Sequence, residues 1–513
     1  MSRAVYGSLI VASLAVGLAL RLAAPDARPM HHDEANQAVR FGTLLETGYY
    51  AYDRTDHHGP TLYYLTLPVA WVWGQRTLAS LDERTIRLVP AIFGTGLILL
   101  MLPLGGTLGC RAVVACAWLA ALSPALTYYS RFYIQETLLA FFALAFLIVA
   151  GRYIQRPRAC TALLAGLVGG LAYATKETSV VVLPAALIAI VTARAWQQPR
   201  PAGIRIRDVA LGCSAAVVVA FLLYSSFLSR PADVLESIRA FGVYFDRGLG
   251  TNAHRQSWHY YLRLLAFSHS GGLVWTEGLV LVLAAAGIAV AIRGGTGAFW
   301  PRAVAVYSIV SALTFAAVPY KTPWNLLPFY VGFVGLAGIG AAAIAWAQQP
   351  RVARGVALAL LAAGYCHLGV QNWRANFVYP ADPRNPYVCA QTLPDFLRLV
   401  QRVTDVAALH PDRDAMLVTV LAGPYEQWPL PWYLRRMTRV GYWTRAEEAG
   451  TLDDAPLIVA SQENALAVEA ALGIRYVTEH YGLRPDVILT LHIERGLWER
   501  FVAGRTTARV GPG

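Results

Sequence analysis

The chain has 513 residues, of which 56% are hydrophobic and 14% charged, and its formal net charge is +12. Soluble domains carry about 25% charged residues, so the composition excludes a soluble protein and predicts an α-helical polytopic membrane protein. The basic residues are scattered through short loops between apolar stretches, which excludes a nucleic-acid-binding patch. The six cysteines (Cys110, Cys116, Cys160, Cys213, Cys366 and Cys389) show no CxxC or Cys/His ligand spacing, so neither a zinc site nor a disulfide framework is expected.

The first apolar stretch, 4–24, is longer than a signal-peptide core and is read as a retained helix. Further spans are predicted at 86–107, 111–129, 136–151, 160–175, 178–194, 207–228, 277–293, 302–319, 324–346 and 353–370. Eleven spans place the two ends on opposite sides. With the N-terminus cytoplasmic, the arginine-rich loops are inside: Arg111, then Arg152, Arg156 and Arg158, then Arg194, Arg200, Arg205 and Arg207, then Arg293 and Arg302, then Arg351 and Arg354. The short loops "SRFYIQE", "TKET" and "YKTPW" carry one basic residue each and fall outside. The reading is a plasma-membrane, multi-pass protein with a transmembrane domain over 1–370 and an extracytoplasmic domain over 371–513.

Between the first two predicted spans lies an outer loop, 25–85. Its "DEANQAVRFGTLLETG" suits a short amphipathic helix with Ala35, Val39, Leu44 and Leu45 near one face. "GPTLYYLTLPVAWVWG" is apolar but short and holds Pro68, which suits a helix lying in the membrane interface. A second long outer loop covers 229–276. In the tail, "AMLVTVLAG" and "APLIVAS" read as buried strands, "RYVTEHYG" and "PDVILTLHIE" could add two more, and "LPDFLRLVQRVTDVAAL" and "QENALAVEAAL" read as helices. That alternation predicts a small α/β domain. It lacks a glycine-rich phosphate loop after any strand.

The chemistry concentrates in the outer segments. In "MHHDEANQAVRFG", Asp33 or Glu34 could act as a general base at the membrane surface; Asp33 could equally be a helix N-cap. Glu136 in "SRFYIQETLLAFF" is either a helix-start residue favoured by the dipole or a second carboxylate facing Asp33. A divalent cation, Mg²⁺ or Mn²⁺, could be held by His32, Asp33 and Glu136, although adjacent histidines point in different directions. Only two of the 43 Lys and Arg residues are lysines, Lys176 and Lys321, and both fall in outer loops. A lysine is a compact point charge suited to phosphate, so Lys176, Lys321 and Arg131 are expected to hold an anionic lipid headgroup. His57 and His58, with Tyr63 in "HHGPTLYY", His254 and Trp258 in "TNAHRQSWHYY", and Trp324 in "YKTPWN" are candidate substrate-binding residues.

Taken together, "HHDEA", "HHGPTLYYL", "SRFYIQETLLAFF", "TKETSVVVLP" and "YKTPWNLLPFY" resemble the GT-C superfamily of polytopic glycosyltransferases, especially its protein O-mannosyltransferase and aminoarabinose-transferase branch, over about residues 1–346. "HHDEA", "HGPTLYY", "TKET" and "PLPWYLR" are most similar to an archaeal and bacterial group labelled flippase-activity-associated proteins. The resemblance implies a GT-C fold and transfer of a sugar, usually with inversion, from a polyprenyl-phosphate donor to a lipid, glycan or protein acceptor on the outer face. It implies Asp33 as the base and Glu136 as its support. The doubled histidines depart from the mannosyltransferase branch, and the tail has neither a WWD-type motif nor a MIR-like domain, which disfavours transfer to asparagine. The competing readings are a catalytically silent accessory scaffold and a transporter or flippase for a lipid-linked glycan. The latter would call for ionisable residues near the midplane and inverted repeats, whereas the charges here collect at helix ends.

Overall fold

The computed structural model describes residues 1–56, 58–198, 203–250, 254–295, 298–346 and 350–509. Among the described residues, seven helical segments are long and apolar enough to cross a bilayer: Arg3–Leu22, Glu83–Leu108, Glu136–Gln155, Ile206–Tyr224, Phe299–Ala317, Pro323–Trp346 and Arg351–Val378. Four shorter apolar helices, Cys110–Leu122, Ala159–Tyr173, Ser179–Ala195 and Gly278–Arg293, fall where the remaining spans were predicted. Small residues let these helices approach closely. A Cβ on Gly166 would lie 2.0 Å from the Gly212 carbonyl oxygen, and one on Gly287 would lie 2.1 Å from that of Leu336. Without a hydrophobic drive between helices in lipid, such backbone approach is a main source of packing energy.

The outer segments and the tail gather at one end of this bundle. The amphipathic helix runs from His32 to Thr47 and stops at Gly48, whose φ of 80° supplies the left-handed C-cap. Its buried face is wider than predicted and includes Ala38 and Phe41, whereas Val39 and Leu45 are only half-buried. The reason is enclosure from two sides, by the bundle beneath and by the tail above. Thr61–Val72 is helical through Pro68, as the pattern predicted, and leaves Trp71, Val72 and Trp73 exposed at its end. The second long loop contributes an amphipathic helix, Asp233–Leu249, and a hairpin that the sequence did not disclose: β1 (Ser268–Ser270) pairs with β2 (Leu273–Trp275). Gly271 and Gly272 make its two-residue turn, both at positive φ, the conformation such a turn needs.

The tail holds a five-stranded sheet of β3 (Val418–Leu421), β4 (Val440–Trp443), β5 (Leu457–Ser461), β6 (Tyr476–Arg484) and β7 (Val487–Glu494), in the order β4-β3-β5-β7-β6. The first three are parallel to one another, and β6 and β7 form an antiparallel hairpin whose β7 pairs β5. Every side chain of β3 and β5 is buried, as expected for strands covered on both faces. The helices Pro394–Ala407 and Gln462–Leu472 match the prediction; β4 and the final helix Arg495–Arg509 are additional.

Candidate active site

The HHDE stretch opens the helix His32–Thr47, but Asp33 is not its cap. His31 occupies that position: its Nδ1 accepts from the Asp33 amide at 3.0 Å, and Glu34 reaches back to the His31 amide at 3.1 Å. This reciprocal box satisfies two otherwise orphaned donors and fixes the start of the helix. The His31 Nε2 hydrogen-bonds the Cys389 carbonyl at 2.8 Å, and its ring meets the edge of Trp324 with centroids 5.6 Å apart. The turn is therefore clamped between bundle and tail, and Asp33 is left without a capping duty.

Asp33 lies below the protein surface, yet its side chain remains 44% exposed, as expected of a carboxylate lining a recess. Burial acts to raise its pKa, but His31, His32, His58 and Lys176 together outweigh it and hold the carboxyl below its ordinary value. The carboxylate is thus kept ionised and open, the state a base requires.

Around it, three segments of the bundle end converge. Lys176 forms a short ion pair with Glu136, and both are buried. Among the described residues the second Glu136 oxygen has no hydrogen-bond partner. Beside Lys176, Glu177 accepts from Tyr52 at 2.9 Å and lies 2.8 Å from the His58 Nδ1. Tyr244, from the helix Asp233–Leu249, places its hydroxyl 2.9 Å from the same nitrogen. Gly59 makes this meeting sterically feasible, since a Cβ there would lie 2.2 Å from the Ala174 carbonyl oxygen. Glu177 is fully enclosed; burial works to raise its pKa, and His58 and the other donors overcome it.

Several expected roles need correction. Glu34, predicted beside Asp33 as catalytic, is wholly buried, and both its oxygens are taken by Arg87 at 2.9 and 2.8 Å and by the Tyr133 and His31 amides. It positions the turn. Arg131, predicted at a phosphate, points back into the protein and donates to the carbonyls of Leu20, Arg21, Ala23 and Ala24, closing the end of the first helix. Lys321 is buried and donates to the carbonyls of Val318 and Gln256. Tyr63 is buried, bonded to Gln37 and stacked on Tyr50 at 4.7 Å, so it belongs to the core rather than to a substrate surface. His254 packs against Tyr320, and Trp258 is 72% exposed. The Lys321 amide donates to the His254 carbonyl at 2.9 Å and the Gln256 amide to the Pro319 carbonyl at 3.0 Å, whereas Trp324 packs on His31 at the site. His57 lies outside the described residues.

His32, Asp33 and Glu136 do not fit a cation. Among the described residues no three His, Cys, Asp or Glu side chains converge as ligands. One Glu136 oxygen is already neutralised by Lys176, and the His32 ring lies against Tyr425 and Trp428 at 6.0 Å. Residues the sequence reading passed over are Glu177, His31 and Arg87, together with Tyr425, Trp428 and Arg484 from the tail. Glu177 was signalled by its place next to Lys176 in "TKETS"; the tail residues carried no local signal.

Residues 67–227 match the family described as dolichyl-phosphate-mannose-protein mannosyltransferase. No curated protein matches the chain by sequence. Among solved structures, the chain is similar to ArnT from Cupriavidus metallidurans bound to undecaprenyl phosphate, with a TM-score of 0.65 at 15% identity over 97% of this chain and 99% of that one. It is also similar to the Archaeoglobus fulgidus oligosaccharyltransferase tethered to an acceptor peptide, with a TM-score of 0.59 at 13% identity over 97% and 77% of the two chains. A further structure of the archaeal enzyme, in complex with an inhibitory peptide and a dolichol-phosphate, gives a TM-score of 0.58 at 12% identity over 96% of this chain and 74% of that one. The helical bundle topped by a sheet-containing tail is the GT-C fold, and the chain has the architecture of the GT-C membrane glycosyltransferases.

Proposed function

We propose that the protein is a membrane glycosyltransferase that moves a sugar from a polyprenyl-phosphate donor to an acceptor hydroxyl on the extracytoplasmic face. The observation that carries this reading is Asp33, an open carboxylate in a recess, kept ionised by Lys176 and surrounding imidazoles. The arginine-poor loops support an extracytoplasmic position for this end of the bundle. The structural neighbours named for undecaprenyl phosphate and dolichol-phosphate support a lipid-phosphate donor.

In this mechanism the Asp33 carboxylate takes the proton of the acceptor hydroxyl as its oxygen forms a bond to the sugar C1. The bond from C1 to the phosphate oxygen breaks from the opposite face, and the electron pair leaves on the lipid phosphate. One displacement inverts the anomeric centre. Lys176 supplies positive charge where the leaving phosphate gains negative charge, and such fixed charge is effective because it needs no reorganisation. Glu136 holds Lys176 in place, and Glu177 holds the His58 ring beside it, through the contacts described above.

The test compares wild type with Asp33→Asn against a panel of polyprenyl-phosphate sugars in membranes. Loss of a positioned base costs about 10²–10⁴-fold, so the variant should lose transfer by that factor while still binding undecaprenyl phosphate. Equal turnover by the two proteins would refute the assignment.

A further inference from the structure

The tail does more than cover the recess: it places aromatic surface at the mouth. Tyr425 is 76% exposed, unusual for a large ring beside a buried site. It is nevertheless held. The His32 ring backs it, with centroids 6.0 Å apart and planes within 28°. Arg484, at the end of β6, donates to the Tyr425 carbonyl at 2.7 Å. Trp428, half-buried, brings a third ring to the same His32 at 6.0 Å. One face of Tyr425 is thus backed by His32, the residue that precedes Asp33, while most of the ring stays open to solvent.

A braced, open aromatic face next to hydrogen-bonding groups suits a ring that is apolar on one face and polar at its edge. A sugar has that character: its axial C–H bonds present an apolar face and its hydroxyls a polar rim. The polar groups at hand are the Arg484 guanidinium, which lies within electrostatic reach of both Asp33 and Glu426, and His32. Two carboxylates face one guanidinium around the rim, which disfavours an anionic ligand.

The geometry points to an acceptor subsite on Tyr425 and Trp428 that binds a neutral carbohydrate, stacked on the open face of Tyr425 with a hydroxyl directed to Asp33. The identity of that hydroxyl as nucleophile rests on the transferase reading above; the binding of the sugar does not. The subsite makes the acceptor a glycan rather than a protein hydroxyl.

The experiment is saturation-transfer difference NMR on the full-length protein in lipid nanodiscs, with the methyl glycosides of mannose, glucose, galactose and arabinofuranose as probes. At least one should bind wild type, with the C–H protons of one ring face saturated most. Tyr425→Ala should weaken it roughly tenfold, the scale of losing one aromatic contact, whereas Tyr425→Phe should bind as wild type does. Undecaprenyl phosphate binding by Tyr425→Ala serves as the check that the exposed substitution leaves the fold intact. The proposal is overturned if no glycoside binds wild type, if binding survives Tyr425→Ala, or if an Ala-Thr-Ala peptide shows the Tyr425 dependence instead. Retained sugar binding with an Asp33→Asn protein of full activity would overturn the base and leave the subsite standing.

Discussion

Replacing Arg87 by Met should unsettle the site without touching a substrate. Glu34 receives the Arg87 Nε at 2.9 Å and Nη2 at 2.8 Å, the Tyr133 amide at 2.9 Å and the His31 amide at 3.1 Å, while Arg28 stands 3.8 Å away. None of these groups has appreciable access to water. Removing one partner of a buried pair costs about 3–5 kcal/mol, because the other charge is left without compensation. That is a large share of the roughly 5–15 kcal/mol by which a folded domain is usually stable, or about two to three and a half decades in the folding equilibrium. Thermal unfolding in detergent, followed by tryptophan fluorescence, reads the loss. Adding Glu34→Gln to Arg87→Met should recover part of it, since no buried charge then remains. The effect has a sign in pH. Burial acts to raise the Glu34 pKa, but Arg87 and Arg28 hold it below its ordinary value. The stabilisation is therefore present above the unfolded-state pKa and is lost as pH falls through the lowered, folded one. Because Glu34 closes the box on His31, transfer should fall with stability. An Arg87→Met protein with wild-type melting and turnover would refute the view that this pair fixes Asp33.

Two more outcomes follow from the same geometry. Asp33 is held below the ordinary aspartate range, so transfer should persist as pH falls until that lowered value is reached; Lys176→Met removes one of the cations responsible and should move the acid limb of kcat/KM to higher pH, and an unmoved limb would count against it. Glu177→Gln removes a charge-assisted hydrogen bond to His58, worth about 1.5–3 kcal/mol, so kcat/KM should fall about ten- to a hundredfold, and combining it with His58→Asn should add little; additive losses would show that the two residues act separately.

The membrane architecture was legible because its causes are local. A run of apolar residues long enough to cross a bilayer must become helix, since no water is there to satisfy the backbone. The tail strands were legible for a similar reason: "VTVL" and "LIVAS" are short, β-branched and wholly apolar. Lys176 stood out through the scarcity of lysine and Glu136 as a carboxylate at a helix start, but nothing in the sequence disclosed that the two meet. Reading charge alone misled at Arg131 and Lys321, because a cation at a helix end can as well turn inward to free carbonyls as outward to a ligand. Position along the chain cannot distinguish the two.

By itself, then, the sequence determined that the chain is a many-span membrane protein with a sheet-bearing tail, and that its titratable groups cluster at one end of the helices. Hydropathy and periodicity encode those properties within windows of some 20 residues. Only the tertiary structure decided which of two neighbouring carboxylates is open. Asp33 and Glu34 are alike in chemistry, and one helical step, about 100° of rotation, sends Glu34 into the grip of Arg87 and leaves Asp33 facing the recess. The same holds for Tyr425 and Arg484, some 390 and 450 residues beyond the helix start they serve. Their contribution depends on how the tail docks on the bundle, and packing between distant segments leaves no mark in any local pattern.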